Sequence, residues 1–159
     1  MNPDSKILRQ DRDMDLISSN NRVEIDKKAL LSTLWIFVFL NLIFRDIHEF
    51  FRLGLLEEMM TGIVNGNQVT EQVMLIGAFM VEIPILMVLL SRILNYRINR
   101  WANIIIGAVT IALITAMGQK DLDDIFFATV EVMALSAIIW LAVKWREPKI
   151  QSKHTLQIK

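Results

Sequence analysis

Four stretches of this chain carry almost no charge, and each is about long enough to cross a bilayer. Residues 29–44 and 101–119 hold no Asp, Glu, Lys or Arg, while 73–91 and 125–143 hold one acid apiece, Glu82 and Glu131. A soluble helix needs a wet face, so polar side chains recur along it at short range. A span through hydrocarbon needs about 20 mostly apolar residues instead. Four buried helices of a soluble bundle would be the competing arrangement, and the length of the runs argues against it. The expected fold is all-α, an integral membrane four-helix up-down bundle. With 53% hydrophobic residues the bulk of the chain cannot stay disordered. The absence of Cys removes disulfide scaffolds, thiol catalysis and thiolate metal sites.

Charge then orients the spans. The 17 basic and 17 acidic residues cancel, so no global field points to nucleic acid. Their placement is uneven. The tail at 1–28, the group Arg92, Arg97 and Arg100, and the segment from Lys144 onward together hold 14 of the 17 basic residues. The other two connections are acidic: Asp46, Glu49, Glu57, Glu58 and Glu71 in one, Asp121, Asp123 and Asp124 in the other. Basic residues near span ends stay on the cytoplasmic side. Both termini are therefore expected in the cytoplasm, with an uncleaved first span.

The expected layout is a polar N-terminal tail at 1–28, spans at about 29–51, 71–95, 99–117 and 122–145, and a basic C-terminal tail at 147–159. Ser18, Ser19, Asn20 and Asn21 could cap a short lead-in helix. Gly62, Asn65 and Gly66 mark a turn-rich loop. Pro84 is expected to bend the second span. Trp101, Trp140 and Trp145 sit where interfacial indoles belong, and Lys144 and Arg146 can snorkel. Ala108, Ala112 and Ala116 form a small-residue stripe, assigned here to packing within the bundle, with self-association as the alternative.

Ionisable groups inside a span usually face the bundle interior or a water-filled cavity. Glu82 lies near mid-membrane and has no basic residue at its depth. A lone carboxyl there needs a proton, a cation or a polar ligand group. Glu131 lies in the outer half of the fourth span, and Asp124 shares its face seven residues earlier. Arg45, Asp46, His48, Glu49 and Arg52 occupy the end of the first span, with Arg45, Glu49 and Arg52 on one side. The expectation is a single polar cavity, open outward and floored by Glu82. The plainer alternative pairs Arg45 and Arg52 with Glu49 and Glu131 as helix-bridging ions. Val81-Glu82-Ile83 also resembles Val130-Glu131-Val132, a weak hint of a repeated hairpin. Di-iron and bis-His haem sites fail on residue supply, since only His48 lies near the membrane and His154 is in the tail. A carboxylate-rich metal site from His48, Glu49, Glu82 and Glu131 is the one arrangement left, and neither a metal nor another cofactor is expected.

Several segments resemble a family of small bacterial four-span membrane proteins of unknown function. They are RDIHEF in the first span, VEIP in the second, SR…NYRINRWAN across the middle connection and FFATVE in the fourth. The layout is also loosely similar to the DoxX-like four-helix proteins. The resemblance implies a location in the bacterial cytoplasmic membrane and a four-helix fold, and it brings no activity. The favoured function is binding of a small molecule or lipid in an outward-opening acidic pocket, with acid-base chemistry as an extension of it. The alternatives are a proton- or cation-coupled transporter acting as a homo-oligomer, and an accessory subunit of a membrane complex.

Overall fold

In the computed structural model, which describes residues 3–64, 66–118 and 121–145, the chain is all-α apart from one small hairpin. The first helix, α1 (Pro3–Glu49), runs unbroken for 47 residues. Its sequence explains this, because Pro3 is the last Pro and Gly54 the first Gly in that part of the chain. Pro is tolerated at a helix start, and nothing afterwards interrupts the ladder. The polar residues 3–28 therefore extend the first span as helix. No separate lead-in helix forms at Ser18–Asn21, where Ser19 simply returns its hydroxyl to the Leu16 carbonyl at 3.0 Å. At about 1.5 Å per residue α1 is roughly 70 Å long, more than twice the hydrocarbon thickness.

The connection after α1 contains α2 (Leu55–Thr61), held between two left-handed glycines, Gly54 at φ 86° and Gly62 at φ 74°. A two-stranded antiparallel hairpin follows, β1 (Ile63–Val64) on β2 (Asn67–Gln68), with Gly66 at φ 78° in its turn. The glycines expected to make a loop thus shape a helix and a hairpin. Thr70 then caps α3 (Glu71–Ile93), its hydroxyl oxygen accepting from Val73 N at 3.3 Å. Pro84 lies inside α3 and is buried. Only residues 94–95 separate α3 from α4 (Tyr96–Met117), so Arg97 and Arg100 belong to the first turns of α4 and not to a loop. The last helix is α5 (Leu122–Lys144). The basic tail expected from 147, and Arg146, lie outside the described residues.

Four helices, α1, α3, α4 and α5, are long and apolar enough to cross a membrane. The ends of the bundle differ in charge. The α3–α4 turn lies at a basic end, and α2, the hairpin and the start of α5 lie at an acidic one. Packing is uneven around the bundle. α1 packs on α3 and α5, and α5 also packs on α4, whereas α3 and α4 barely touch despite their two-residue link. The core is built from Leu31, Trp35 and Val38 of α1, Met87 of α3, Ile114 of α4 and Leu135 and Ile138 of α5. On α4 the packing side carries Asn103, Gly107, Thr110 and Ile114, all buried. A Cβ on Gly107 would lie 3.0 Å from Ile139 Cγ1, so glycine sets the α4–α5 spacing. Ala108, Ala112 and Ala116 are exposed, and their assignment to internal packing is corrected: the helix turns its glycine side inward. Trp101 and Trp140 are exposed as interfacial residues should be, with Lys144 Nζ 4.1 Å from the Trp140 ring centre. Trp145 is instead buried, edge-on to Tyr96, whose hydroxyl donates to the Trp145 carbonyl at 2.6 Å.

Candidate functional site

The basic half of the bundle is stitched by buried hydrogen bonds. Trp35 Nε1 donates to Asn103 Oδ1 at 2.7 Å, and Ser91 Oγ reaches the same oxygen at 3.4 Å. Asn103 Nδ2 donates to the Asn99 carbonyl and side-chain oxygens at 2.8 and 2.6 Å. Asn99 Nδ2 donates to the Ser91 carbonyl at 2.6 Å, tying the start of α4 to the end of α3. Ser32 Oγ donates to the Val88 carbonyl at 2.8 Å and accepts from Arg92 Nε at 3.3 Å. These buried bonds join α1, α3 and α4. Ser91, Asn99 and Asn103 were not among the expected functional residues. Their signal was available as polar groups at i and i+4 entering an uncharged run, and only ionisable residues had been weighted.

Away from this network α3 and α4 separate, and a cavity of about 160 Å³ opens between them. Leu42, Arg45 and Asp46 line it from α1, Gly77, Met80, Val81 and Ile83 from α3, and Thr110, Leu113 and Ile114 from α4. Its walls are mostly apolar, with polar groups at one side. Arg45 Nη1 lies 3.1 Å from Glu131 Oε2, and the Glu131 side chain has no exposed surface. Glu131 Oε1 is buried without a hydrogen-bond partner. Asp46 is exposed, and among the described residues it has neither a hydrogen bond nor an ion pair. Arg45 therefore stands between two acids, hydrogen-bonded to Glu131 and next in sequence to Asp46.

The remaining expected residues fall into two groups. His48, Glu49, Arg52 and Asp124 gather at the acidic end. His48 Nε2 stands 3.9 Å from Asp123 Oδ2, and Arg52 Nε lies 3.5 Å from Glu49 Oε2. Asp124 lies in the first turn of α5 beside Asp123. Arg45–Glu131 bridges α1 and α5, as the sequence's plainer alternative has it, whereas Arg52–Glu49 is a local pair three residues apart at the end of α1. Glu82 stands apart. It is exposed, and it does not line the cavity. Its neighbours Val81 and Ile83 both do, each about 100° round the helix, so the side chain between them points away. Glu82, expected as the floor, is thus not part of the cavity lining, where the polar members are Arg45, Asp46 and Thr110. Glu82 and Glu131 occupy opposite environments, one exposed and one buried, which removes the weight of the repeated VE motif. Among the described residues no group of three or more His, Asp or Glu is placed to hold a metal ion.

The match that bears on identity runs over residues 21–152, which takes in α3, α4, α5, α1 from residue 21 onward and every residue lining the cavity. The chain belongs to the family of unknown function DUF6326. No curated protein and no solved structure matches it. Membership in DUF6326 therefore covers the bundle and adds no chemistry to what the side chains show.

Proposed function

We propose that this chain is a multi-pass protein of the bacterial cytoplasmic membrane, with its basic end and both termini in the cytoplasm. It binds a small lipophilic molecule in the cleft between α3 and α4. The observation that carries the reading is the apolar cavity bordered by the partnerless Asp46 carboxylate and the Arg45–Glu131 pair. A cavity near 150 Å³ takes a molecule about the size of benzene. An aromatic ring or a short stretch of acyl chain would fill this one. Two carboxyl groups stand against one guanidinium there, and Asp46 has no hydrogen-bond partner among the described residues, so the favoured ligand bears a hydrogen-bond-donating or cationic group that meets Asp46. The Arg45–Glu131 pair then acts as a fixed dipole that keeps the carboxylates in place.

The test is mass spectrometry of gently purified protein for a bound non-protein molecule. Gly77 lines the cavity, and an added Cβ meets nothing within 4 Å, so Gly77→Leu fills the space without touching a charge. A molecule should be retained by the wild type, lost in Gly77→Leu, weakened in Asp46→Asn and kept in Glu82→Gln. Equal retention in Gly77→Leu would sink the proposal. Cation-coupled transport is the second reading, favoured by the charged groups running from Glu131 past Asp46 to His48 and Asp123. It requires cation-dependent flux in liposomes that Asp46→Asn abolishes.

A further inference from the structure

α3 is the most exposed of the spanning helices, with 11% of its apolar window buried against 33% for α5. Glu82 is the middle residue of its 23 positions. Among the described residues no hydrogen bond or ion pair engages it. A carboxyl at that depth, facing outward, is costly in hydrocarbon, and a polar partner from another molecule would relieve that cost.

The surrounding residues define the shape of that partner. Leu75, Phe79, Glu82, Leu86, Leu89 and Ile93 follow one another by four, three, four, three and four. At 3.6 residues per turn they fall within an arc of about 80°. All six are exposed, the five apolar ones from 45% at Leu86 to 63% at Phe79 and Ile93. The stripe lies on the side of α3 away from the cavity. It covers about 27 Å of helix, close to the full hydrocarbon thickness. Leu75, Glu82 and Leu89 are seven apart, as are Phe79, Leu86 and Ile93, which is the two-position repeat of a helix–helix seam with a single polar member at its centre.

We propose that this stripe is the interface with a second copy of the chain, related by a two-fold axis along the membrane normal, with the two Glu82 carboxyls hydrogen-bonded across it. A second copy inserted the same way presents its own Glu82 at the same depth. A carboxyl can donate through O–H and accept through C=O, so two of them satisfy each other with one or two protons between them. A basic partner from within the same fold is excluded, because Arg45, the one basic group along the spans' interior, is already engaged by Glu131. In the parallel pair Leu75 meets Leu75 and Leu89 meets Leu89. The polar contact fixes register, and the apolar residues above and below it pack.

The absence of Cys makes the test clean. Single Leu75→Cys, Leu89→Cys and Ile76→Cys variants of the full chain are oxidised with copper phenanthroline in native membranes. Ile76 is 61% exposed at the same depth as Leu75 but about 100° round the helix. Leu75→Cys and Leu89→Cys should form the homodimer, and Ile76→Cys should not. Adding Glu82→Leu should reduce the Leu75→Cys dimer about tenfold, while Glu82→Gln, whose amides also pair, should retain it. Equal cross-linking at positions 75 and 76, cross-links to a different protein in place of the dimer, or a yield unmoved by Glu82→Leu would each overturn the proposal. The cavity plays no part in this readout, so a failure here leaves the ligand-binding reading standing, and the reverse also holds.

Discussion

Replacing Arg45 by Met separates a structural ion pair from one that serves a ligand. The pair joins α1 to α5 through one contact of 3.1 Å, with the Glu131 side chain fully buried and 15% of the Arg45 side chain exposed. Glu131 Oε1 has no partner, so removing the guanidinium leaves the whole carboxyl unsupported. Breaking a buried pair from one side costs about 3–5 kcal/mol. The bond is single and Arg45 borders an open cavity, which places Arg45→Met at the lower end, about 3 kcal/mol. Glu131→Leu should cost less, about 1–2 kcal/mol, because Arg45 can turn toward Asp46 in the cavity while Leu fills the vacated site. The double variant should lie within about 1 kcal/mol of wild type, since apolar residues of similar volume replace buried ion pairs at little net cost.

The assay is reversible unfolding in mixed lipid and SDS micelles, followed by far-UV circular dichroism. The coupling from the four corners of the cycle should be about 3 kcal/mol. Losses that simply add, or an Arg45→Met variant within about 0.5 kcal/mol of wild type, would refute the argument that hydrocarbon burial makes the pair matter. The same four proteins then report on function. A stable double variant without bound ligand assigns the charges to the cavity, and one that retains ligand assigns them to helix registry.

Three further outcomes follow from other parts of the fold. Asn103→Leu should cost about 1–3 kcal/mol by stranding the Trp35 indole N–H, measured in the same unfolding assay, with ligand retention unchanged. Gly107→Val should destabilise by about 1–3 kcal/mol through overpacking against Ile139, and a variant as stable as wild type would show that α4 and α5 slide freely. Ile25→Cys and Leu122→Cys, both exposed and at opposite ends, should differ with a membrane-impermeant maleimide on intact cells: Leu122→Cys labels and Ile25→Cys does not.

The four long apolar helices were legible because a composition sustained over about 20 residues survives any helical rotation. Their starts were less so. Tyr96 and Arg97 fall between the expected spans at 71–95 and 99–117, yet they wind into α4 because α3 turns over in two residues and Asn99 bridges back to Ser91. The charged residues 3–28 were read as a tail for their polarity, although nothing in them breaks a helix. At the site, opposite sign and similar depth were enough to pair Arg45 with Glu131. Glu82 shows the limit. An acid in an apolar run reports depth, and its direction depends on which neighbours the helix packs against. α3 packs on α1 and hardly on α4, so Gly77, Met80 and Ile83 turn toward the cavity and Glu82 turns away.

That one-sided packing also explains why the cavity lies where it does. In the basic half, α3 and α4 are held together through Ser91, whose carbonyl accepts from Asn99 Nδ2 and whose hydroxyl donates to Asn103 Oδ1. Beyond Asn103 the facing residues are small or apolar: Gly77 and Val81 on α3, Thr110 and Ile114 on α4. Thr110 donates its hydroxyl to the Ile106 carbonyl at 2.8 Å, and among the described residues no α3 group donates to its oxygen. Between helices in lipid, apolar contact alone gives little preference over the acyl chains that would replace it. The two helices are therefore fastened at one end and free to part at the other, and Arg45 and Asp46 sit where they part. A residue that bridges α3 and α4 at this level, such as Gly77→Asn facing Thr110, should close the cleft. Purified Gly77→Asn protein should then show the same loss of bound ligand as Gly77→Leu while unfolding at higher SDS than wild type. Lost ligand with no gain in stability would mean that the cleft is held open by something other than the absence of a polar contact.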